Sequence, residues 1–172
     1  MYFSGFCLKN EEKLFDSLFM PSEYTVAGFS YGAQQALEYS LASTTSRIDK
    51  IILLSPAFFQ SSSPSFIRAQ ERYFNTNRDQ YIEQFYSNVS YPVGSSMIEH
   101  FKSQGTAQEL KELLTYLWDE EKLKILINRG IEIEVFIGGM DKIVDTEKCL
   151  DFFSKICTVY LIKNAGHLLY IK

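Results

Sequence analysis

Four consecutive aliphatic residues, Ile51-Ile52-Leu53-Leu54, constrain the fold more than any other feature of the chain. A strand with one wet face alternates apolar and polar side chains, so a run that is apolar at every position must be covered on both faces. That is the condition of a central strand in a parallel sheet. Parallel neighbours need crossover connections, and helix-periodic segments stand where those would run. Tyr2-Phe3 reads as the end of a short first strand, Ser4-Gly5 as a turn and Asn10 to Leu18 as a helix, with a break at Pro21-Ser22. Glu23 to Phe29 then reads as a strand, Tyr31 to Ala42 as a helix packing through Ala33, Ala36, Leu37 and Tyr39, and Lys50 to Ser55 as the next strand.

After Pro56 the rhythm changes. The Ser-rich stretch Gln60 to Ser65 leads into a region with helical patterns and no strand, which we read as an insertion. Its helices are expected at Ser65 to Phe74, Asp79 to Tyr86, Ser95 to Lys102 and Ala107 to Leu117, with Asn75, Asn88 and Gly105 near the breaks. The sheet pattern resumes with a helix near Glu120 to Asn128, a strand Glu132 to Gly138, a helix Asp145 to Ile156 and a last strand Thr158 to Ile162. No internal repeat and no linker divides the chain.

At the junction of the second strand and its helix stands Gly28-Phe29-Ser30-Tyr31-Gly32, a G-x-S-x-G pattern. A sharp strand-to-helix turn forces the middle serine into a strained backbone conformation, and small residues on either side let strand and helix approach closely. The serine also stands at a helix N-terminus, where free N–H groups can stabilise an oxyanion. A serine hydroxyl is a weak nucleophile unless a base takes its proton. Of the two histidines, His167 follows the last strand, whereas His100 falls inside the helical insertion as a surface or satisfied core residue. The third member of such a set is a carboxylate beyond a strand and before the histidine. Asp141, in Gly138-Gly139-Met140-Asp141, meets that description, while the alternative Asp145 reads as the cap of the following helix. Ser30 is thus the candidate nucleophile, His167 the base and Asp141 the orienting acid.

Composition removes several other classes of function. A net charge of −4 gives no global attraction to nucleic acid or to an anionic membrane. The N-terminus lacks a signal-peptide pattern and no apolar run approaches the roughly 20 residues of a membrane span, so a cytoplasmic protein is expected. Cys7, Cys149 and Cys157 form no CxxC pair and leave one cysteine over in any disulfide scheme, so they are expected to be reduced. With only two histidines and no clustered ligands, no metal is expected.

With Ser, Asp and His in that order, the chain resembles the α/β-hydrolases, through GFSYG at the turn, GGMDKIVD around the acid and IKNAGHLLYI around the histidine. The resemblance implies a single domain over 1–172, an N-terminally shortened α/β-hydrolase fold with a mainly parallel sheet flanked by helices and a helical cap inserted at about 57–119. Phe3-Ser4-Gly5-Phe6-Cys7 is similar to the family's loop after its third strand, where His-Gly-x-Gly is common; here Ser4 replaces the histidine and Cys7 the second glycine. That correspondence implies an oxyanion hole formed by the N–H groups of Phe6 and Tyr31. Members usually carry more strands before this loop and a fuller final helix than a chain stopping at Lys172 leaves room for. A shortened sheet would bare an edge that a second copy, in a homodimer, could cover.

Among short members, FSGF and AGHLLY are similar to the pimeloyl-acyl-carrier-protein methyl ester esterases of the small BioV type. The resemblance implies removal of the methyl ester from a biotin precursor, an acyl carrier protein as partner, and no cofactor. Carrier proteins are acidic, so a dock should be basic. Arg68, Arg72 and Arg78 fall within the insertion, Arg68 and Arg72 on one helix face, where like charges cost a few tenths of a kcal/mol. The same residues also read as a solvated face, with Glu71 and Asp79 nearby. Phe58, Phe59, Phe66, Phe74 and Phe85 are candidates for an apolar acyl channel. A general carboxylesterase or thioesterase would share the triad, and a non-catalytic binding module of this fold would be expected to lack one of its members.

Overall fold

The aliphatic run lies at the centre of the sheet. In the computed structural model, which describes residues 1–19 and 22–171, Ile51 to Leu54 are completely buried in strand β3 (Lys50–Leu54). Burying four such side chains contributes roughly 6–12 kcal/mol of transfer free energy. The strand has a parallel neighbour on each side. The sheet runs in simple sequence order, β1 (Tyr2–Phe3), β2 (Thr25–Phe29), β3, β4 (Glu132–Gly138) and β5 (Thr158–Ile162), with every pairing parallel.

Helix α1 (Tyr31–Ala42) returns the chain from β2 to β3 and buries Ala33, Ala36 and Leu37, the i, i+3, i+4 stripe expected of a helix laid on a sheet. Helix α5 (Glu120–Asn128) precedes β4 and packs on α1, and α6 (Thr146–Phe153) connects β4 to β5. Between β3 and α5 lies the helical insertion: α2 (Pro64–Thr76), α3 (Arg78–Val89), a 3₁₀ segment Ser95–Phe101, and α4 (Ala107–Thr115). Its helices are capped as their sequence suggests. Ser63 accepts the Phe66 N–H with Pro64 in the first turn, and Thr106 and Glu109 form a reciprocal capping box.

Four expectations need correction. The segment expected as a helix from Asn10 to Leu18 holds only a 3₁₀ turn, Glu11–Phe15, because Asn10 enters it in the left-handed region at φ 60°. Ser95–Phe101 is likewise 3₁₀, not α-helical. Asn75 lies inside α2, and the break comes at Asn77, whose non-helical backbone (φ −145°, ψ 71°) separates α2 from α3. Helix α6 ends at Phe153, three residues early, with Ser154 as its cap. The expected break at Pro21 lies outside the described residues. At the far edge, β5 leaves Tyr160 and Leu161 exposed.

The insertion is fastened to the sheet behind the Ser30 turn. Gln34 donates through Nε2 to the carbonyls of Ala57 (2.9 Å) and Leu113 (3.0 Å), and Trp118 Nε1 also donates to Ala57 (2.9 Å). Tyr31 and Tyr116 donate their hydroxyls to Glu112 (2.5 Å) and Glu38 (2.6 Å). A fixed cap roof is therefore built over the carboxyl ends of the central strands.

Candidate active site

Ser30 occupies the turn that its glycines make possible. Its backbone has φ 54° and ψ −112°, a conformation that costs a non-glycine residue about 1–3 kcal/mol. Three hydrogen bonds hold it there: Ser30 N–H to the Leu54 carbonyl (2.9 Å), and the N–H groups of Ala33 and Ala57 to the Ser30 carbonyl (3.1 Å each). A Cβ on Gly28 would overlap the Gly32 backbone, and one on Gly32 would overlap the Phe3 carbonyl. Both positions therefore require glycine for close approach. The Ser30 hydroxyl caps nothing in its own helix and faces the cavity under the insertion.

Asp141 and His167 are brought together by loops pressed against one another at the ends of β4 and β5. A Cβ on Gly138 would strike the Gly166 carbonyl, and Met140 N–H donates to Ala165 (2.8 Å). This contact places Asp141 Oδ2 2.6 Å from His167 Nδ1, with both side chains fully buried. Asp141 Oδ1 accepts the N–H groups of Ile143 (2.7 Å) and Val144 (3.2 Å), so the carboxylate is held at both oxygens. Such a carboxylate fixes the ring orientation and stabilises the imidazolium formed when the other nitrogen takes a proton. Asp145 caps α6 through the Lys148 N–H (3.2 Å), and that bond with the nearby Lys148 ammonium lowers its carboxyl pKa. His100 is exposed on the insertion.

His167 is tied to the sheet through Ser55 Oγ, which donates to the His167 carbonyl (2.7 Å), and its ring lies 5.0 Å from that of Phe29, the residue before Ser30. His167 Nε2 is buried without a hydrogen-bond partner. The Ser30–His167 hydrogen bond is not formed here; catalytic contacts of this kind are often open without substrate and close in the Michaelis complex.

Phe6 and Tyr31 were expected to supply the oxyanion donors, and of the two only Phe6 lines the cavity at Ser30. Phe6 and Tyr31 are buried, and neither N–H has an acceptor among the described residues. The cavity that Ser30 faces has a volume of about 250 Å³. Phe6, Phe59, Phe66 and Phe85 line it, so three of the five expected channel phenylalanines reach it, while Phe58 and Phe74 pack elsewhere in the core. Sequence reasoning missed Leu110, Leu113 and Leu114 of α4 as lining, although their spacing gives a helix an apolar face. It also missed Lys142, beside the acid, whose ammonium lies 3.6 Å from the centre of the Tyr91 ring. Arg68 and Arg72 are exposed. Arg78 is engaged within the insertion, donating to the Gly105 carbonyl and lying over the Phe74 ring.

No family model matches the chain, and no curated protein does. Solved structures do. An esterase from Exiguobacterium antarcticum superposes with a TM-score of 0.66 at 17% identity, covering 91% of this chain and 63% of its own. A bromoperoxidase from Bacillus anthracis gives 0.68 at 18% identity, with 92% and 65% covered. BioG from Haemophilus influenzae gives 0.63 at 12% identity, with 97% and 87% covered. The chain thus spans just under two thirds of the length of the esterase and the bromoperoxidase. Five parallel strands with flanking helices, a strained serine at a strand-to-helix turn and these structural neighbours show that the chain has the α/β-hydrolase fold.

Proposed function

We propose that this protein is a serine carboxylesterase that hydrolyses the methyl ester of pimeloyl-acyl carrier protein. The observation that carries the hydrolytic reading is a strained Ser30 lining the cavity beside Phe6, with a buried Asp141–His167 pair held at 2.6 Å beyond the neighbouring strands. Esterases among the structural neighbours support it. The substrate rests on the resemblance of FSGF and AGHLLY to the methyl ester esterases and on a mostly apolar cavity beneath a cap.

Ser30 Oγ attacks the ester carbonyl as His167 Nε2 accepts its proton, and the N–H groups of Phe6 and Tyr31 receive the developing oxyanion. Asp141 stabilises the imidazolium, which passes its proton to the departing methoxide. Methanol leaves and an acyl-serine remains. Water, deprotonated by His167, attacks the acyl carbonyl, and the returning proton regenerates Ser30. A carrier protein held at the cap rim by Arg68 and Arg72 would admit the far end of the acyl chain to Ser30 and keep the thioester outside. No cofactor takes part in these steps, and no described helix is long and apolar enough to cross a membrane.

The test is to offer the purified protein the methyl ester of pimeloyl-acyl carrier protein and follow the mass of the carrier. The expected result is loss of one methylene with the thioester intact, abolished by Ser30→Ala and slowed by Arg68→Glu with Arg72→Glu, while a small aryl ester is hydrolysed by the arginine variant at the normal rate. Preferential release of free carrier would instead identify a thioesterase. Turnover equal to wild type in Ser30→Ala would refute the mechanism.

A further inference from the structure

Glu11 is a fully buried carboxyl group beneath the loop that carries Phe6. Removing a carboxylate from water costs several kcal/mol unless a cation or a full set of donors compensates. No described lysine or arginine pairs with it, and one of its oxygens, Oε2, has no hydrogen-bond partner. The other oxygen accepts the Gly5 N–H at 2.7 Å and the Tyr2 hydroxyl at 3.1 Å. A group so expensive to bury, meeting the residue next to a proposed oxyanion donor, calls for a reason beyond packing.

We propose that Glu11 is the positioning residue of the oxyanion hole: by holding the Gly5 N–H inside the protein, it leaves the next N–H, that of Phe6, facing the cavity at Ser30. The proposal rests on the hydrolytic reading of that site. The loop around it is held at further points. Leu8 N–H donates to Gly5 (3.1 Å), the Cys7 carbonyl receives both Ser103 N–H (2.9 Å) and Tyr86 hydroxyl (3.0 Å), and Cys7 itself stands at φ 56°. A Cβ on Gly5 would press into the Phe29 ring, so the loop lies directly on the strand that delivers the nucleophile. Glu11 holds the Ser4–Gly5 peptide from below, and the Leu8 N–H holds the carbonyl of the next peptide, the one that carries the Phe6 N–H. Burial raises its carboxyl pKa, against the opposing pull of the Gly5 N–H, its own N–H and the Ser4 and Tyr2 hydroxyls. Only the acceptor at Oε1, not the negative charge, is required for this role.

The experiment compares wild type, Glu11→Ala, Glu11→Asp and Glu11→Gln for hydrolysis of p-nitrophenyl butyrate and for inhibition by an alkyl trifluoromethyl ketone, whose adduct places an oxyanion in the hole. A fluorophosphonate label on Ser30 is read first, in wild type. Failure of wild type to label or to hydrolyse the ester overturns the hydrolytic reading and this proposal with it. With labelling intact, Glu11→Ala should lower kcat by about 10²-fold at unchanged KM, the scale of one lost oxyanion donor, and weaken the ketone by a similar factor. Glu11→Gln, which still presents an oxygen to Gly5, should restore kcat to near wild type. Should the alanine variant not fold, Glu11→Asp, whose carboxyl is drawn back from Gly5, should lower kcat in the same sense with KM held. Wild-type kcat and ketone affinity in a folded Ala or Asp variant would overturn the proposal alone, as would a loss expressed only in KM or in thermal stability.

Discussion

Asp141→Asn tests the proposed division of labour at the site through a single atom. In the native structure Oδ1 receives two backbone N–H groups, from Ile143 and Val144, and Oδ2 faces His167 Nδ1 at 2.6 Å. An asparagine must place its oxygen at the Oδ1 position, because an amide NH₂ there would confront two donors. Its NH₂ then faces Nδ1 and donates to it, which forces the proton of the neutral imidazole onto Nε2. A histidine already protonated at Nε2 cannot accept the proton of Ser30. The same exchange in a comparable triad costs about 10⁴-fold in turnover, which is about 5 kcal/mol of transition-state stabilisation at 1.36 kcal/mol per tenfold. The fold should survive, since both backbone contacts to Oδ1 are retained. The assay is steady-state hydrolysis of p-nitrophenyl butyrate, with the rate of fluorophosphonate labelling and a thermal melt on the same samples. The expected result is a collapse of kcat and of the labelling rate, with KM and melting temperature little changed. A folded variant whose kcat stays within tenfold of wild type would refute the role given to Asp141.

Two further outcomes follow from buried features. Gly32→Ala would drive a Cβ into the Phe3 carbonyl, backbone that cannot swing away as a side chain would, so urea denaturation should show a loss of about 3 kcal/mol or more together with lost activity; an unaltered denaturation midpoint would contradict the close packing of β1 on the elbow. Glu11 carries a carboxyl pKa raised by burial above the roughly 4.3 of an unfolded glutamate. Its favourable contribution is therefore fully present below the unfolded pKa and is lost as pH rises through the folded value. The stability of Glu11→Gln relative to wild type should accordingly improve from about pH 4 toward neutrality, and a difference that stays constant across that range would be inconsistent with a raised folded pKa.

The parallel sheet and the three central residues were legible because each rests on local pattern. Ile51 to Leu54 could only be a doubly covered strand, and Ser30, Asp141 and His167 each stand just past a recognisable strand. Where local pattern and tertiary contact diverged, the sequence misled. Glu11 to Leu14 look like part of an amphipathic helix, but the chain enters with Asn10 left-handed and makes only a 3₁₀ turn, which brings the carboxyl back under Gly5. Nothing in the sequence pairs Glu11 with an N–H six residues earlier. Arg78 has the same lesson in reverse, since its place in the insertion suggested a cation for a docking surface, and the carbonyl that engages it belongs to Gly105, 27 residues away.

The structure separates what fixes the chemistry from what shapes the substrate cavity. Gly28 against Gly32, Gly32 against Phe3, Gly138 against Gly166 and Gly166 against Tyr91 are all backbone approaches that leave no room for a Cβ. The positions of Ser30, Asp141 and His167 are therefore set largely by main chain touching main chain. Most of the cavity wall, by contrast, is made of side chains from α2, α3 and α4, where a substitution changes volume without moving Ser30 or His167. Gly166 is the exception that couples the two, because the carbonyl it meets belongs to Tyr91 of the insertion while its next residue is His167. A rearrangement of the cap that displaced Tyr91 would reach His167 through this contact, whereas one confined to α2 would reshape the cavity and leave Ser30, Asp141 and His167 in place.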